Sequence, residues 1–338
     1  MIMTHELKKI IREYQSATSR GLKCVLATVV ALDGSSYRRP GVRMLIMEDG
    51  HMIGAVSGGC VEKEVVRQAQ SVFVDEIAKI MTYDGRYRLG CEGILYILLE
   101  TFRPDKIFLD TFERTILSRQ YFRVLSFFEK KEGANADYGS TVIFAQEQLP
   151  LSPGFHAQGK LEVFEQRMKP CFKLFIIGAE HDTVQLCSFA TNAGWEVTIV
   201  ADPAEEKNIL DFEGAHDFLG ILPENFPLAQ VDRHTAIILM NHSYSKDLKY
   251  LLMLRNVKPI YLGLLGPYRR REKLFGELME RSPEISYDFL DGIHGPAGLN
   301  IGAETPQEIA ISIVAEILSV IREKEPMLLK NKETGIHD

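Results

Sequence analysis

The sequence of 338 residues predicts an α/β protein: an N-terminal α/β domain with a mixed sheet, then a C-terminal Rossmann-like domain with a parallel sheet. Beyond residue 170, short apolar runs alternate with helical segments, which is typical of parallel strands joined by right-handed crossovers. Before it, strand-like runs follow one another closely, and Asp49-Gly50 is a strong hairpin signal. Length gives a prior of two or three domains, at roughly 150 residues each. We expect domains over 1–169 and 170–338.

The first half is predicted to begin with an amphipathic helix over 4–19, because Leu7, Ile10, Ile11 and Tyr14 recur at helical spacing. Short, apolar or β-branched runs predict the strands that follow. These strands are expected at 24–32, 43–47, 52–56, 94–100, 122–128, 141–145 and 161–164, with a helix over 61–74. Residues 146–160 combine Pro, Gly and Gln and are predicted to be a loop or linker.

The second half shows the alternation most clearly. Strands are predicted at 173–177, 196–200, 235–240 and 259–262, with helices ending near residue 192 and starting near residue 246. Thr305-Pro306-Gln307-Glu308 is a capping box with proline at the first helical position, so it predicts a final helix over 306–323.

Charge and cysteine content exclude several classes of protein. A net charge of −7 and a pI of about 5.8 argue against nucleic-acid binding and against attachment to an anionic membrane. The N-terminus lacks the apolar core of a signal peptide, and no run of 18 apolar residues predicts a spanning helix. The five cysteines form no CxxC pair, so we expect a cytoplasmic protein with reduced thiols.

The loop after the first strand of the second domain departs from a dinucleotide-binding fingerprint. Of the three glycines in the pattern GxGxxG only the first is present, as Gly178, and Glu180 and Thr183 stand at the other two positions. The acid that the pattern expects about 20 residues further on is present as Asp202. The second glycine normally lets the backbone approach a pyrophosphate. A carboxylate there repels a phosphate by about 1–4 kcal/mol, which disfavours NAD(P). Glu180, His181 and Asp182 are three consecutive titratable residues. They could hold a metal or a polar ligand, or they could simply be a first helical turn with acids that the helix dipole favours.

Ser57-Gly58-Gly59-Cys60 is the most informative motif of the first domain. It links a strand to a helix and places a thiol at the helix N-terminus, where the dipole and free N–H groups favour thiolate. The paired glycines let a ligand approach the backbone. A small buried cysteine in a turn is the alternative interpretation.

Two further loops resemble this one in composition. Residues 33–41 follow a buried strand and carry Arg38 and Arg39, with Arg43 close behind, so this loop could cradle an oxyanion. Gly90-Cys91-Glu92-Gly93 holds a second glycine-flanked cysteine, but its spacing from Cys60 is not a zinc pattern. The other three cysteines are expected to pack in cores.

Three stretches resemble the XdhC/CoxI family of accessory proteins for molybdenum hydroxylases. Residues 34–65 (GSSYRRPGVRMLIMEDGHMIGAVSGGCVEKEV) resemble its N-terminal domain, and 260–273 resemble its strand, Gly-rich turn and arginine cluster. Residues 294–318 are similar to its H-x-P-x-G-L-x-I-G-A-x-T-P-x-E-I-A signature. Glu92 departs from the family's GCGG, and Glu180 departs from its GAGH.

The resemblance implies a chaperone that binds molybdenum cofactor transiently and protects it during sulfuration. It also implies two partners, an apo-hydroxylase of the xanthine dehydrogenase type that receives the cofactor and a cysteine desulfurase, and is compatible with a homodimer. The cofactor-binding residues implied or proposed are Ser57, Gly58, Gly59, Cys60, Cys91, Arg38, Arg39, Arg43, Arg269 and Arg270. Cys60 would be the thiolate at the molybdenum site, because soft metals favour sulfur ligands. No catalytic residue is assigned.

Two other functions stay open. One is an NAD(P)-dependent oxidoreductase that uses the Rossmann-like domain, in which Gly178, Glu180, His181 and Asp202 would form a degenerate nucleotide loop. The other is a metal-binding regulatory subunit without enzymatic activity. The sequence argues against a molybdenum hydroxylase itself, because it shows no iron–sulfur cysteine spacing.

Overall fold

The chain divides into two compact units between Cys171 and Phe172 in the computed structural model. The structure describes residues 4–34, 36, 39–57, 59–85, 93–145 and 147–333, and the side chain of Cys60 is outside this description.

Unit 1 contains two antiparallel sheets and three helices in its described part. Its helices are α1 (Thr4–Ser19), α2 (Cys60–Asp75) and α3 (Lys106–Leu117). Its strands are β1 (Cys24–Asp33), β2 (Arg43–Met47), β3 (Met52–Gly54), β4 (Lys79–Asp84), β5 (Ile94–Thr101), β6 (Phe122–Phe128), β7 (Gly133–Ala134), β8 (Gly139–Phe144), β9 (Glu147–Pro150) and β10 (Glu162–Met168).

The larger sheet has the order β3-β2-β1-β5-β4-β7, and the smaller has the order β10-β6-β8-β9. The apolar run of β1 takes the centre, because a strand buried on both faces reads as continuous apolar residues. Helices α1 and α2 pack against the larger sheet and bury Leu7, Ile10, Val61 and Val65. These elements position the loops at the ends of the larger sheet.

The strand β9 corrects the predicted loop over 146–160. Residues 147–150 pair with 141–144 of β8, so the irregular segment begins only after Pro150. Pro150 can end this strand because β9 lies at the edge of its sheet, where a missing N–H breaks no ladder.

Unit 2 is a Rossmann-like domain, and the predicted fold class is confirmed. Its strands are β11 (Lys173–Ile177), β12 (Glu196–Ala201), β13 (Asp217–Gly220), β14 (Thr235–Leu239), β15 (Tyr261–Leu264) and β16 (Ile293–His294). Its helices are α4 (His181–Asn192), α5 (Tyr244–Leu254), α6 (Tyr268–Arg281), α7 (Tyr287–Asp291) and α8 (Pro306–Arg322).

The strand pairs of unit 2 are all parallel, in the order β13-β12-β11-β14-β15-β16. This is the 3-2-1-4-5-6 order of dinucleotide-binding domains, and its switch point lies between β11 and β14. Strands β13 and β16 were not predicted, because β13 is exposed at both ends and β16 has only two residues. The predicted capping box is present, since Thr305 Oγ1 accepts a hydrogen bond from the Glu308 N–H.

Within the described ranges, the helices are all too short or too polar to cross a membrane.

Candidate functional site

The strand ends of the larger sheet bring the three glycine-rich loops of unit 1 to one end. Strand β1 ends at Asp33, opposite Ile94, where β5 begins, and Ile94 also lies opposite Asp84, where β4 ends. At the same end, β2 begins at Arg43 and β3 ends at Gly54, which pairs with the next residue of β2. The loops after β1, after β3 and between β4 and β5 therefore start or finish at this end of the sheet.

The turn after β3 is held by the carboxylate of Glu62, in the first turn of α2. This carboxylate accepts hydrogen bonds from the Ser57 N–H at 2.7 Å, the Ser57 hydroxyl at 2.8 Å and the Gly59 N–H at 2.9 Å. We call these contacts the Glu62 clasp. It fixes the path of the chain immediately before Cys60, the first residue of α2.

The direction of the pKa shift of Glu62 shows which form of this acid makes the clasp. Glu62 is 7% exposed, and burial by itself would raise its pKa. The hydrogen bonds from Ser57 and Gly59 outweigh that effect and lower the pKa of Glu62 below its usual value. The clasp is therefore made by a carboxylate rather than by a neutral acid.

Gly59 shows that the turn needs glycine for its backbone and leaves space beside it. Its φ of 123° is a conformation that residues with a side chain rarely adopt, and a Cβ there would meet none of the described residues beyond its chain neighbours within 4 Å. Gly59 is also exposed, so its backbone is accessible as far as the described residues extend. Of the predicted site residues in this region, Gly58, Arg38 and Cys91 lie outside the described residues.

Arg43 lies inside unit 1 rather than on its surface. It is 4% exposed, and its Nη1 donates to the Gly41 carbonyl at 3.0 Å and to Gln166 Oε1 at 2.5 Å. Burial lowers the pKa of Arg43 to about 10. These contacts tie the end of the loop 34–41 to β10, so they favour a positioning role for Arg43, whereas Arg39 is exposed.

Gln166 also packs against the same loop. Gly41 has a φ of 101°, and a Cβ there would come within 2.6 Å of Gln166 Nε2. No sequence pattern points to Gln166, because its partner Arg43 is more than 120 residues away.

At the carboxyl edge of the unit 2 sheet, the predicted nucleotide loop follows β11. Gly178 has a φ of 132°, and a Cβ there would lie 2.8 Å from the Met240 carbonyl oxygen. Glu180 precedes α4 without capping it by its side chain, and its carboxylate lies 4.0 Å from Nε2 of His242. His181 begins α4 and is exposed.

Two lysines occupy this edge. Lys246 Nζ lies 2.8 Å from Oδ2 of Asp202, and this contact lowers the pKa of Asp202 below its usual value. Lys207 Nζ donates a hydrogen bond to the Ala179 carbonyl. The sequence pattern points to Asp202 but to neither lysine, because both belong to segments that come into place only through the sheet order.

The three arginines of the predicted cluster, at 269–271, make different contacts. Arg270 Nη2 lies 2.7 Å from Oδ2 of Asp247, a residue that is 0% exposed and whose other carboxylate oxygen accepts from Asn241. Burial raises the pKa of Asp247, although Arg270 opposes this shift. Arg271 Nη1 donates to the Gly295 carbonyl at 2.6 Å. Arg269 is exposed, so it is the member that a ligand can reach most directly.

His294 is held by a network of side chains. Its Nδ1 lies 3.0 Å from Glu316 Oε1, and its ring stacks on Tyr261 with centroids 4.4 Å apart. The Tyr261 hydroxyl and the Gly298 N–H both donate to Glu316 Oε2. These contacts account for His294 as a structural residue that anchors α8 to the sheet.

The remaining thiols and acids form no metal centre in the described ranges. Cys24, Cys171 and Cys187 are buried thiols, as expected for core residues, and burial raises the pKa of Cys24 and of Cys187 to about 11. Over those same ranges, no three His, Cys, Asp or Glu side chains are grouped as metal ligands would be.

Two protein-family models match this chain, one within each of the two units. The family model for the XdhC and CoxI family matches residues 17–84, and the model described as the XdhC Rossmann domain matches residues 174–317. A relative from Bacillus subtilis, described as a probable xanthine dehydrogenase subunit, is 29% identical over 88% of this chain and 92% of its own length.

A second relative is the molybdenum cofactor insertion chaperone PaoD of Escherichia coli, which is 27% identical over 94% of this chain and 90% of its own length. A crystal structure described as a xanthine dehydrogenase from Bacillus halodurans superposes with a TM-score of 0.76 at 24% identity, covering 94% of this chain and 96% of that one, and this likeness supports the fold. With both of its characteristic domains present in order, the chain belongs to the XdhC and CoxI family.

Proposed function

We propose that the protein is a maturation chaperone that binds molybdenum cofactor at the glycine-rich end of the larger sheet in unit 1. The observation that carries the proposal is the convergence of strand ends there, with the Glu62 clasp presenting the start of α2 at Cys60. The names of two relatives, a cofactor insertion chaperone and a xanthine dehydrogenase subunit, support a role in maturation rather than catalysis.

The described residues fit such a cargo. The cofactor has a terminal phosphate, a pterin edge that forms hydrogen bonds and a metal centre with sulfur ligands. Gly59 is exposed and no described residue beyond its chain neighbours fills the space beside it, and the N–H groups at a helix start suit an anion. A cysteine at this position is a suitable contact for such a cargo, because thiolate suits a soft metal–sulfur environment.

The proposed roles follow from these positions. Ser57, Gly58 and Gly59 would line the cargo site, with the N–H groups of Ser57 and Gly59 held by Glu62. Cys60 would contact the metal centre of the cargo, and Arg38 and Arg39 would bind its phosphate. Arg43 would hold the loop that carries those two arginines. Cys91 stays a proposed second contact. Arg269 stays a proposed anion contact of unit 2, taken by itself.

In this role the chain would hold the cofactor while a cysteine desulfurase supplies sulfur, and would then transfer it to an apo-hydroxylase of the xanthine dehydrogenase type. A carrier has to release its cargo, which open loops permit better than a closed cavity. The oxidoreductase alternative receives no support from the edge of unit 2, where Asp202 is already paired with Lys246.

The test is the amount of pterin that co-purifies with the protein, released by denaturation and measured by fluorescence. Wild type is expected to carry about one pterin per chain, and Cys60→Ala is expected to lose most of it. Cys187→Ala, which removes a buried thiol of unit 2, is the matched control and should retain the pterin. Equal retention by Cys60→Ala and wild type would remove Cys60 from the site.

A further inference from the structure

The carboxyl edge of the unit 2 sheet carries two side-chain contacts, and one of them, the Lys246–Asp202 pair, extends across its switch point. In the strand order, β11 lies between β12 and β14. Asp202 follows β12 directly, whereas Lys246 lies in the first turn of α5, after β14, and the two are joined by the 2.8 Å ion pair. This pair therefore passes over the end of β11.

The second contact comes from the opposite direction. Lys207 lies in the segment after β12 and reaches back to the Ala179 carbonyl, in the loop between β11 and α4. Neighbouring strands are about 4.8 Å apart, so the two lysines together cover the width of about two strand spacings. We call the Lys246–Asp202 and Lys207–Ala179 contacts the two straps.

The straps lie where this fold binds dinucleotides. The pyrophosphate normally rests on the loop after the first strand, and the acid after the second strand accepts hydrogen bonds from the ribose hydroxyls. Here the acid is Asp202, and its carboxylate already accepts from Lys246 and from the Ala204 N–H at 2.9 Å. A ribose would have to replace the ammonium group.

Glu180 is less restrictive than its position in the sequence indicates. Its side chain is 47% exposed and faces the exposed His242 instead of the loop backbone. Solvent screens the charge of such a group, so it repels a phosphate weakly. The Lys246–Asp202 pair is also partly exposed, at 37% and 22%, but it acts by occupying the acid that a ribose must reach and not by repulsion over a distance.

We propose that Lys246 is the residue that determines the ligand selectivity of the Rossmann-like domain: by pairing with Asp202 it closes the switch point to ribose-containing dinucleotides. The domain retains the strand order and the acid of a dinucleotide site, and a single side chain keeps that site shut. This role is independent of cofactor binding in unit 1.

The test is a titration of the purified full chain with NADH, followed by fluorescence and by calorimetry. Wild type is expected to bind with a Kd above about 1 mM, and Lys246→Ala and Lys246→Gln to bind about two- to fivefold more tightly, the gain that freeing Asp202 from a partly exposed ion pair allows. Lys249→Ala, on an exposed position of the same helix, should behave as wild type. Adding Asp202→Ala to Lys246→Ala should abolish the gain, because the ribose then has no acceptor.

A comparison with Glu180→Gly distinguishes exclusion of the dinucleotide by Lys246 from exclusion by the Glu180 carboxylate. We expect this variant to gain less than Lys246→Ala. The proposal is overturned if wild type binds NADH at micromolar concentration, if neither Lys246 variant binds more tightly than wild type, or if Lys249→Ala gains as much as Lys246→Ala. A gain from Glu180→Gly that equals or exceeds that of Lys246→Ala would also overturn it.

Discussion

The glycine-rich end of unit 1 and the carboxyl edge of unit 2 are both places where loops meet at strand ends, yet they are built in opposite ways. At the first, one carboxylate, Glu62, binds backbone N–H groups and leaves the start of a helix open beside Gly59. At the second, side chains bind one another, as Lys246 binds Asp202 and Arg270 binds Asp247. An open backbone suits a ligand, whereas paired side chains form a scaffold.

This contrast explains why the fold alone does not locate the function. Unit 2 has the strand order of a dinucleotide-binding domain, and this order would by itself point to the switch point. The function follows from the site rather than from the fold. Here the candidate site with an accessible backbone, at Gly59, lies in unit 1 and not in the Rossmann-like unit 2.

The largest effect that the contrast predicts is on the scaffold of unit 2. Arg270→Ala leaves the fully buried Asp247 carboxylate without its charged partner, and we expect a loss of about 3–5 kcal/mol in the free energy of unfolding. Urea denaturation measures this loss. The neighbouring Arg269→Ala removes an exposed side chain and should change stability by less than about 0.5 kcal/mol. Similar values for the two variants would contradict the assignment of Arg270 to the scaffold.

A second prediction concerns a buried acid between the two sheets of unit 1. Glu100 is 3% exposed and accepts from the Ser140 N–H and hydroxyl, and burial raises its pKa to about 7. Because this pKa is raised in the folded state, its stabilising contribution is full below about pH 4.5 and is lost as the pH rises through about 7. The loss is about 3 kcal/mol at most.

Glu100→Gln should therefore flatten the pH dependence of stability and be more stable than wild type at pH 8. Urea unfolding between pH 5 and pH 8 measures both effects, with the exposed Glu113→Gln as a control that keeps the slope of wild type. A wild-type chain whose stability does not fall over this range would show that Glu100 stays ionised.

The smallest effect is expected at the turn before Cys60. Gly59→Ala forces a residue with a side chain into a φ of 123° without a clash against the described residues, and this should cost about 1–3 kcal/mol. Gly276→Ala, in the interior of α6 with no atom near its Cβ, should instead stabilise by about 0.5–1 kcal/mol. Thermal unfolding distinguishes the two signs. A neutral Gly59→Ala would mean that the turn does not need glycine.

Most of the fold could be predicted because its elements follow local patterns. The helix over 4–19 and the strands over 122–128 and 173–177 have the predicted bounds, since their apolar residues repeat at a clear period. Among the strands that were missed, β9, β13 and β16 are short and depend on pairing with a distant or neighbouring strand.

The motifs of the candidate site could be predicted from the sequence, but most of the residues that hold the loops in place could not. Gly59 and Glu62 have the three-residue spacing at which an acid in the first helical turn reaches back to the preceding N–H, and the sequence does show this spacing. Gln166, Lys207 and Lys246 carry no such signal, because their partners are set by sheet order and by contacts over long stretches of chain. The sequence also places Arg43 among ligand contacts, whereas its burial could be seen only in the folded chain.

The most direct test of the central claim is pterin content measured side by side in Cys60→Ala and Lys246→Ala, each purified as the full chain from cells that make molybdenum cofactor. We expect Cys60→Ala to lose most of the pterin and Lys246→Ala to retain the wild-type amount, because the cofactor is proposed to bind at the open turn of unit 1. Retention by Cys60→Ala together with loss by Lys246→Ala would contradict this claim and would move the cofactor to the edge of unit 2.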